Sequence, residues 1–390
     1  MKYAIWSSLL LAAVGCATPP VQKPEPPSIA SLRKDAAEHP KDPVRARRLV
    51  LAEAFDVGGD PSKVEGELTH ALELTPNDAV LVYLRALLND VHGEPASALE
   101  GYLKAIELAA GSTAPEAQSL IEITSYGVLG QSGMSRGYVD KVRERLLPVL
   151  RNPQLSAAAR GALGDVLLPL AYRRGDLAQV KEVTAALSCA RSFRVAGPFG
   201  PRDLLGFDDA PKVDPSKPLL EAYDLGPGRG RRATREALAR GCNVHLGGGP
   251  IADGGTSYAE TEIALQAAGK YLLRLDTPNS IEVYIDGKSV LRVDRRRALG
   301  ARVVLQEVSL PAGSHRVAVA VATRHPNPVL ELAVTPLTAA DANARMRAQP
   351  SPAARGFEQH LGVALALARG DVLAARQALA SVTAGSQVSP

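Results

Sequence analysis

The sequence predicts a multidomain α + β chain: an N-terminal α-helical repeat solenoid over 30–190, an antiparallel β-sandwich over 191–338 and a short C-terminal helical hairpin over 345–390. Three observations carry that reading. Residues 45–112 divide into two segments in which small and apolar residues recur 34 positions apart, a period that suits a stacked helix pair. From Ser192 the apolar spacing turns from helical to alternating and stays so as far as Val334. Beyond Pro336 the helical spacing returns. The chain has 390 residues, 46% hydrophobic and 22% charged, which is longer than one core usually serves and too apolar for disorder. Its 45 basic and 41 acidic side chains leave a net charge of +4, no footprint for nucleic acid.

The first element is a leader. Met1-Lys2-Tyr3 precedes the apolar run Ala4 to Val14 and the small residues Gly15-Cys16-Ala17, the pattern of a secretory signal peptide over 1–15. The apolar run is too short for a membrane-spanning helix, which needs roughly 18 residues. Ala13-Val14-Gly15-Cys16 resembles a bacterial lipobox, with Ala13 standing where leucine is usual. The resemblance implies that Cys16 is diacylated and becomes the mature N-terminus; ordinary cleavage near Ala17 is the alternative. Residues 16–29 (TPPVQKPEPP within them) read as an extended, Pro-rich tether holding a body off a membrane surface. Ala17 after the cysteine, by the same resemblance, implies an outer-membrane lipoprotein of the cell envelope, facing the periplasm. Cleavage would remove Trp6, the single tryptophan, and leave Cys189 and Cys242 as the remaining cysteines. In an oxidising compartment these two are a candidate disulfide, with two separate buried thiols as the alternative.

The helical part comes next. Val64 aligns with Ala98, Leu68 with Tyr102, Ala71 with Ala105 and Ala52 with Ala86. Pro61 and Pro95 sit in the opening turn of the second helix of each unit, and Pro76 closes the first unit. This pattern resembles the tetratricopeptide repeat, although the aromatic usual near the unit start is missing. The resemblance implies a groove that holds a peptide or protein partner. Thr113-Ala114-Pro115-Glu116 suits a capping box for the next helix. Further helices are expected near 134–150, 156–173 and 177–188. Within Arg174-Gly175-Asp176, Gly ends one helix and Asp caps the next.

Strands follow. Phe193 to Gly200 is short and ends at a Gly-Pro break. Tyr271, Leu273 and Leu275 alternate as a half-buried strand, as do Ile281, Val283 and Ile285, and Asp286-Gly287 supplies a type I′ hairpin turn. Val304 to Leu310, His315 to Val321 and Leu330 to Val334 complete the set, an antiparallel, jelly-roll-like arrangement. The phrases Val283-Tyr284-Ile285-Asp286-Gly287-Lys288 and Leu310-Pro311-Ala312-Gly313-Ser314-His315 resemble PA14-like and galactose-binding-like sandwiches of bacterial envelope proteins. That resemblance implies carbohydrate contact, for which Tyr284 and Tyr258 are the candidate aromatic platforms. The acidic calcium loop of that family has no counterpart here.

Catalytic motifs do not emerge. Gly287-Lys288-Ser289 lacks the upstream glycine of a phosphate-binding loop, and no His-Glu-x-x-His or paired Cys-x-x-Cys exists, so no cofactor and no metal is expected. His245, His315 and His325 fall near strand ends, and the basic clusters Arg229 to Arg235 and Arg295-Arg296-Arg297 read as solvated loop charge, with contact to anionic lipid headgroups or acidic polysaccharide as the alternative. The expected function is therefore non-enzymatic: a lipid-anchored envelope scaffold or adaptor whose repeats bind protein partners. The alternative is a lipoprotein whose sandwich binds polysaccharide or peptidoglycan.

Overall fold

The structure is a computed structural model describing residues 28–54, 61–114, 116–131, 137–199, 207, 213–224, 230–247, 255–295, 303–323, 328–341, 363 and 375–376. Cys16, the tether and nearly all of the expected hairpin at 345–390 lie outside the described residues. The chain is mixed α + β, with helices first and antiparallel strands after.

The helices are α1 (Ile29–Glu38), α2 (Pro43–Ala54), α3 (Pro61–Leu74), α4 (Ala79–Val91), α5 (Pro95–Ala110), α6 (Ala117–Gly130), α7 (Tyr138–Leu150), α8 (Ala157–Arg174) and α9 (Leu177–Ala186). The positions that recur in sequence become the packing surface: Val64, Leu68, Ala71, Ala86, Ala98, Tyr102 and Ala105 are buried, and Ala52 is partly so. Small residues set the distance of approach. A Cβ added at Gly101 of α5 would stand 2.7 Å from the Cβ of Ala86 in α4. The capping box expected at 113–116 does not form. Glu116 occupies the N-cap of α6 without a side-chain bond to that helix, and its carboxylate accepts from Arg47 Nη2 at 3.0 Å instead. The guanidinium carries a full positive charge where a backbone amide offers only a dipole. Gly175, at φ 67°, ends α8, and the Asp176 carboxylate accepts from the Gln179 amide at 2.9 Å to start α9.

The strands are β1 (Ser192–Phe199), β2 (Ala222–Asp224), β3 (Arg231–Ala233), β4 (Arg235–Leu238), β5 (Asn243–His245), β6 (Gly255–Leu265), β7 (Gly269–Asp276), β8 (Ser280–Ile285), β9 (Lys288–Val293), β10 (Val303–Leu310), β11 (Gly313–Thr323) and β12 (Val329–Pro336). They form a six-stranded sheet, β4-β1-β6-β11-β8-β9, a four-stranded sheet, β10-β7-β12-β5, and the small pair β2-β3. Both larger sheets line one apolar cluster. Phe193, Val195, Val283, Val317, Val319 and Val321 of the first meet Leu273, Leu275, Leu332 and Val334 of the second. Between β8 and β9, Asp286 and Gly287 take φ values of 48° and 82°, the two positive values a type I′ turn needs.

Both outer faces are covered, and this is where the structure departs from the half-buried strands expected. On β7, Leu272, Arg274 and Asp276 point away from the common core yet are buried like Leu273 and Leu275. Helix α8 lies over them: a Cβ at Gly161 would meet the Arg274 guanidinium at 2.6 Å. On the far side, residues 213–224 run as a strap across the six-stranded sheet. Val213 and Leu219 of the strap form a second apolar cluster with Ala196, Phe199, Tyr258, Tyr284, Ala318 and Ala320. Buried Glu260 accepts from the Leu219 amide, and Arg316 donates to Glu260 at 2.9 Å and to the Pro215 carbonyl at 2.7 Å. The order of layers is helices, four-stranded sheet, six-stranded sheet, strap.

Candidate functional site

Stacking of the helix pairs brings the first turns of α4 and α6 beside the flank of α2, and a groove of about 160 Å³ opens there. Its floor is apolar, with Val80, Leu108, Ala117 and Leu120, and its rim is polar, with Arg47, Asn77, Asp78, Ser112 and Glu116. Asp78 has two tasks. One oxygen accepts from the amides of Val80 and Leu81 at 2.9 and 3.2 Å, capping α4, while the other accepts from Arg47 Nε at 2.7 Å. Arg47 also reaches Glu116, so one guanidinium ties three helices at the rim. Arg47, Asp78 and Glu116 are too far apart in sequence for local pattern reading to join them. A larger, shallower groove of about 400 Å³ runs along α7, lined by Asp140, Arg143, Glu144, Leu147, Pro148 and Arg151. Both grooves set apolar side chains beside charged ones.

The β-sheet candidates fare differently. Tyr258 and Tyr284 do share the outer face of the six-stranded sheet, flanking β11 opposite Ala320 and Ala318. They are not open platforms, however, being only 4% and 6% exposed beneath the strap. Phe199 meets Tyr258 edge-on at 5.7 Å and Tyr223 at 5.4 Å. Burial, reinforced by Glu282, raises the Tyr284 phenol well above its ordinary pKa. The reason is that alternation tells which face a residue takes, while a loop distant in sequence decides whether that face is wet.

Cys189 and Cys242 are joined as a disulfide, with Cα atoms 5.4 Å apart. They meet along one edge of β12: β5 pairs with Val329 to Glu331, and residues 188–190 continue that edge, Ala190 donating to the Leu332 carbonyl at 2.8 Å. Beside them Arg274 is paired with Glu331, both side chains 6% exposed. Burial works against the Arg274 charge, but Glu331, Asp165 and Asp276 together hold its pKa above the ordinary arginine value. Among the described residues, Cys189, Cys242 and Glu331 are the set whose donor atoms cluster closely enough for an ion. Their chemistry does not suit one, because the sulfurs are bonded to each other and the carboxylate to Arg274.

Buried His315 is also engaged on both sides. Nδ1 lies 2.7 Å from Asp286 Oδ2 and Nε2 lies 2.9 Å from the Pro311 carbonyl, two acceptors, so both nitrogens donate. The hydrogen bond to Asp286, helped by that to Pro311, raises the His315 pKa. A ring held on both sides this way is a clamp on the β8–β9 turn. Of the basic clusters, Arg235 donates to the carbonyls of His245 and Gly247 at 2.9 and 2.7 Å and Arg295 to that of Asn279 at 3.2 Å, while Arg231 and Arg232 are exposed. Arg229, Arg296, Arg297 and His325 lie outside the described residues. Among the described residues, no helix is long and apolar enough to cross a membrane.

No family model and no curated protein matches the chain. Among solved structures, a β-glucosidase from Kluyveromyces marxianus in complex with glucose is 16% identical, with a TM-score of 0.24 over 28% of this chain and 15% of that one. The selenomethionine-labelled β-glucosidase from the same organism is 15% identical, with a TM-score of 0.26 over 36% and 19% of the two chains. A family GH115 4-O-methyl-α-glucuronidase with specificity for decorated arabinogalactans is 10% identical, with a TM-score of 0.17 over 70% and 42%. The chain thus spans less than half the length of each of these enzymes. Likeness this slight carries no argument about what the chain does.

Proposed function

We propose that the protein is a lipid-anchored cell-envelope scaffold that holds a protein partner in the groove of its tetratricopeptide-like repeats. The observation that carries this reading is the groove between α2, α4 and α6, with an apolar floor under a rim of Arg47, Asp78 and Glu116. A partner segment laid there would bury its apolar side chains on Val80, Leu108 and Leu120 and pair its polar groups at the rim. The two facing sheets are read as a jelly-roll-like sandwich that serves as a body for the repeats, resembling the PA14-like and galactose-binding-like modules in outline. Burial of Tyr258 and Tyr284 counts against the glycan-binding alternative, since a sugar ring stacks on an open aromatic face. Cys16 would tether the assembly to the outer membrane.

Two variants test the reading. The full chain is purified from native membranes with its bound protein, which is identified and then titrated against wild type and Asn77→Trp. Asn77 is exposed at the groove rim, so a tryptophan there obstructs the groove while leaving the core alone. Binding at least tenfold weaker with an unchanged melt is expected; equal binding by both would reject the groove, and retention on a glycan array would favour the sugar alternative. Cys16→Ser should move the protein from the membrane fraction to the soluble one, and unchanged retention would remove the lipid anchor from the proposal.

A further inference from the structure

Helix α8 and the four-stranded sheet meet at a small cavity whose wall is mostly apolar. Its volume is about 10 Å³, and it is lined by Ala157, Arg160 and Gly161 of α8, by Leu187, and by Arg274, Ala333 and Thr335 of the sheet. Three polar atoms of these residues are fully buried with no partner: Arg160 Nε, Arg274 Nε and Thr335 Oγ1. Arg274 is 5% exposed and Thr335 4%, and each belongs to a different strand, β7 and β12. A buried polar group left unbonded costs on the order of 1–3 kcal/mol, so three such groups on residues that line one cavity mark a place built around something.

Size and charge say what. The volume matches one probe sphere, enough for a single water-sized species and nothing polyatomic. Two of the three groups can only donate, while the threonine hydroxyl donates or accepts. The occupant must therefore accept two N–H bonds and can offer one proton to Thr335. A halide also accepts N–H bonds, but the surroundings are unfavourable to an anion. Against Arg160 and Arg274 stand the carboxylates of Glu331, Asp165 and Asp276 near Arg274 and Asp341 near Arg160. We propose that this cavity is a binding site for one structural water, which accepts from Arg160 Nε and Arg274 Nε, donates to Thr335 Oγ1, and so bridges α8 to β7 and β12. The seam between helices and sheet then holds one hydrated, directional joint within apolar packing, and its geometry is set by hydrogen bonds as well as by packing.

The test uses crystals of the full mature chain, wild type and Thr335→Val, with a parallel soak in sodium bromide. Wild type should show a single peak within hydrogen-bond distance of all three atoms, with no anomalous signal from bromide. In Thr335→Val that peak should be lost, and the melting temperature should fall although valine is the same size. A bromide peak in the cavity would overturn water in favour of an anion. A dry wild-type cavity, or a peak that persists unchanged in the Thr335→Val crystal, would overturn the site itself.

Discussion

Gly161→Ala makes the sharpest test of how the helices dock on the sheet. In the interior of an 18-residue helix, alanine for glycine should stabilise by about 0.5–1 kcal/mol, because the unfolded chain loses freedom. Here the new Cβ would stand 2.6 Å from Arg274 Nε, 2.7 Å from Cζ and 2.8 Å from Nη2. An exposed arginine would swing aside at small cost. Arg274 is different: it is 5% exposed, paired with Glu331, and backed by Asp165 and Asp276. Moving it aside parts a buried ion pair, and an uncompensated buried charge costs about 3–5 kcal/mol. The balance is a loss of roughly 2–4 kcal/mol. Thermal and urea melts measure the size, and hydrogen exchange along α8 places it. Gly66→Ala in α3, where nothing lies within 4 Å of the added Cβ, is the control and should gain about 0.5–1 kcal/mol. In an Arg274→Met, Glu331→Leu background the Gly161→Ala change should reverse sign. A Gly161→Ala protein as stable as wild type would refute the reasoning, since it would mean that α8 and Arg274 are not in contact.

Three further outcomes follow from the same contacts. Replacing Cys189 and Cys242 together by serine should cost about 4 kcal/mol, the loop-closure value for a separation of 53 residues; stoichiometric thiol labelling of denatured, unreduced wild type would show instead that no bond is present. His315→Gln should weaken the β8–β9 turn most in mild acid. The raised His315 pKa contributes stability that is full below about pH 6.5 and fades as pH rises through the folded value, while Asp286 is lowered, the bonds from His315 and the Arg316 amide outweighing its desolvation, and contributes only above about pH 4. The gap in stability between wild type and His315→Gln, about 1 kcal/mol after discounting the half-exposed Asp286, should therefore be widest between about pH 4 and 6.5; a gap that grows toward about pH 9 would contradict the imidazolium assignment. Tyr258→Ala should lower stability by about 3–4 kcal/mol, as for a buried aromatic, and an unaffected melt would mean the strap stands off the sheet.

The identity of the elements was largely legible in the sequence, because spacing is a local property. Prolines at 61 and 95 open α3 and α5, Gly175-Asp176 separates α8 from α9, and Asp286-Gly287 turns β8 into β9. Strand β6 was not legible. It pairs with both β1 and β11, yet its run Thr256, Ser257, Ala259, Glu260 and Thr261 is small or polar, and these residues are buried only because a strap and a partner sheet enclose them. The same limit applies to each candidate site. A sequence can say that Tyr258 and Tyr284 share a face, but 213–224 decides that the face is covered. It can offer Cys189 and Cys242 for pairing, but the shared edge of β12 brings them to 5.4 Å. Arg47, Asp78 and Glu116, and likewise Arg274, Glu331 and Gly161, come from separate elements and carry no signature that joins them. Periodicity is written into neighbouring residues because each side chain's direction follows from its own backbone. Burial and ion pairing depend on what lies opposite, and that is decided only when the layers close.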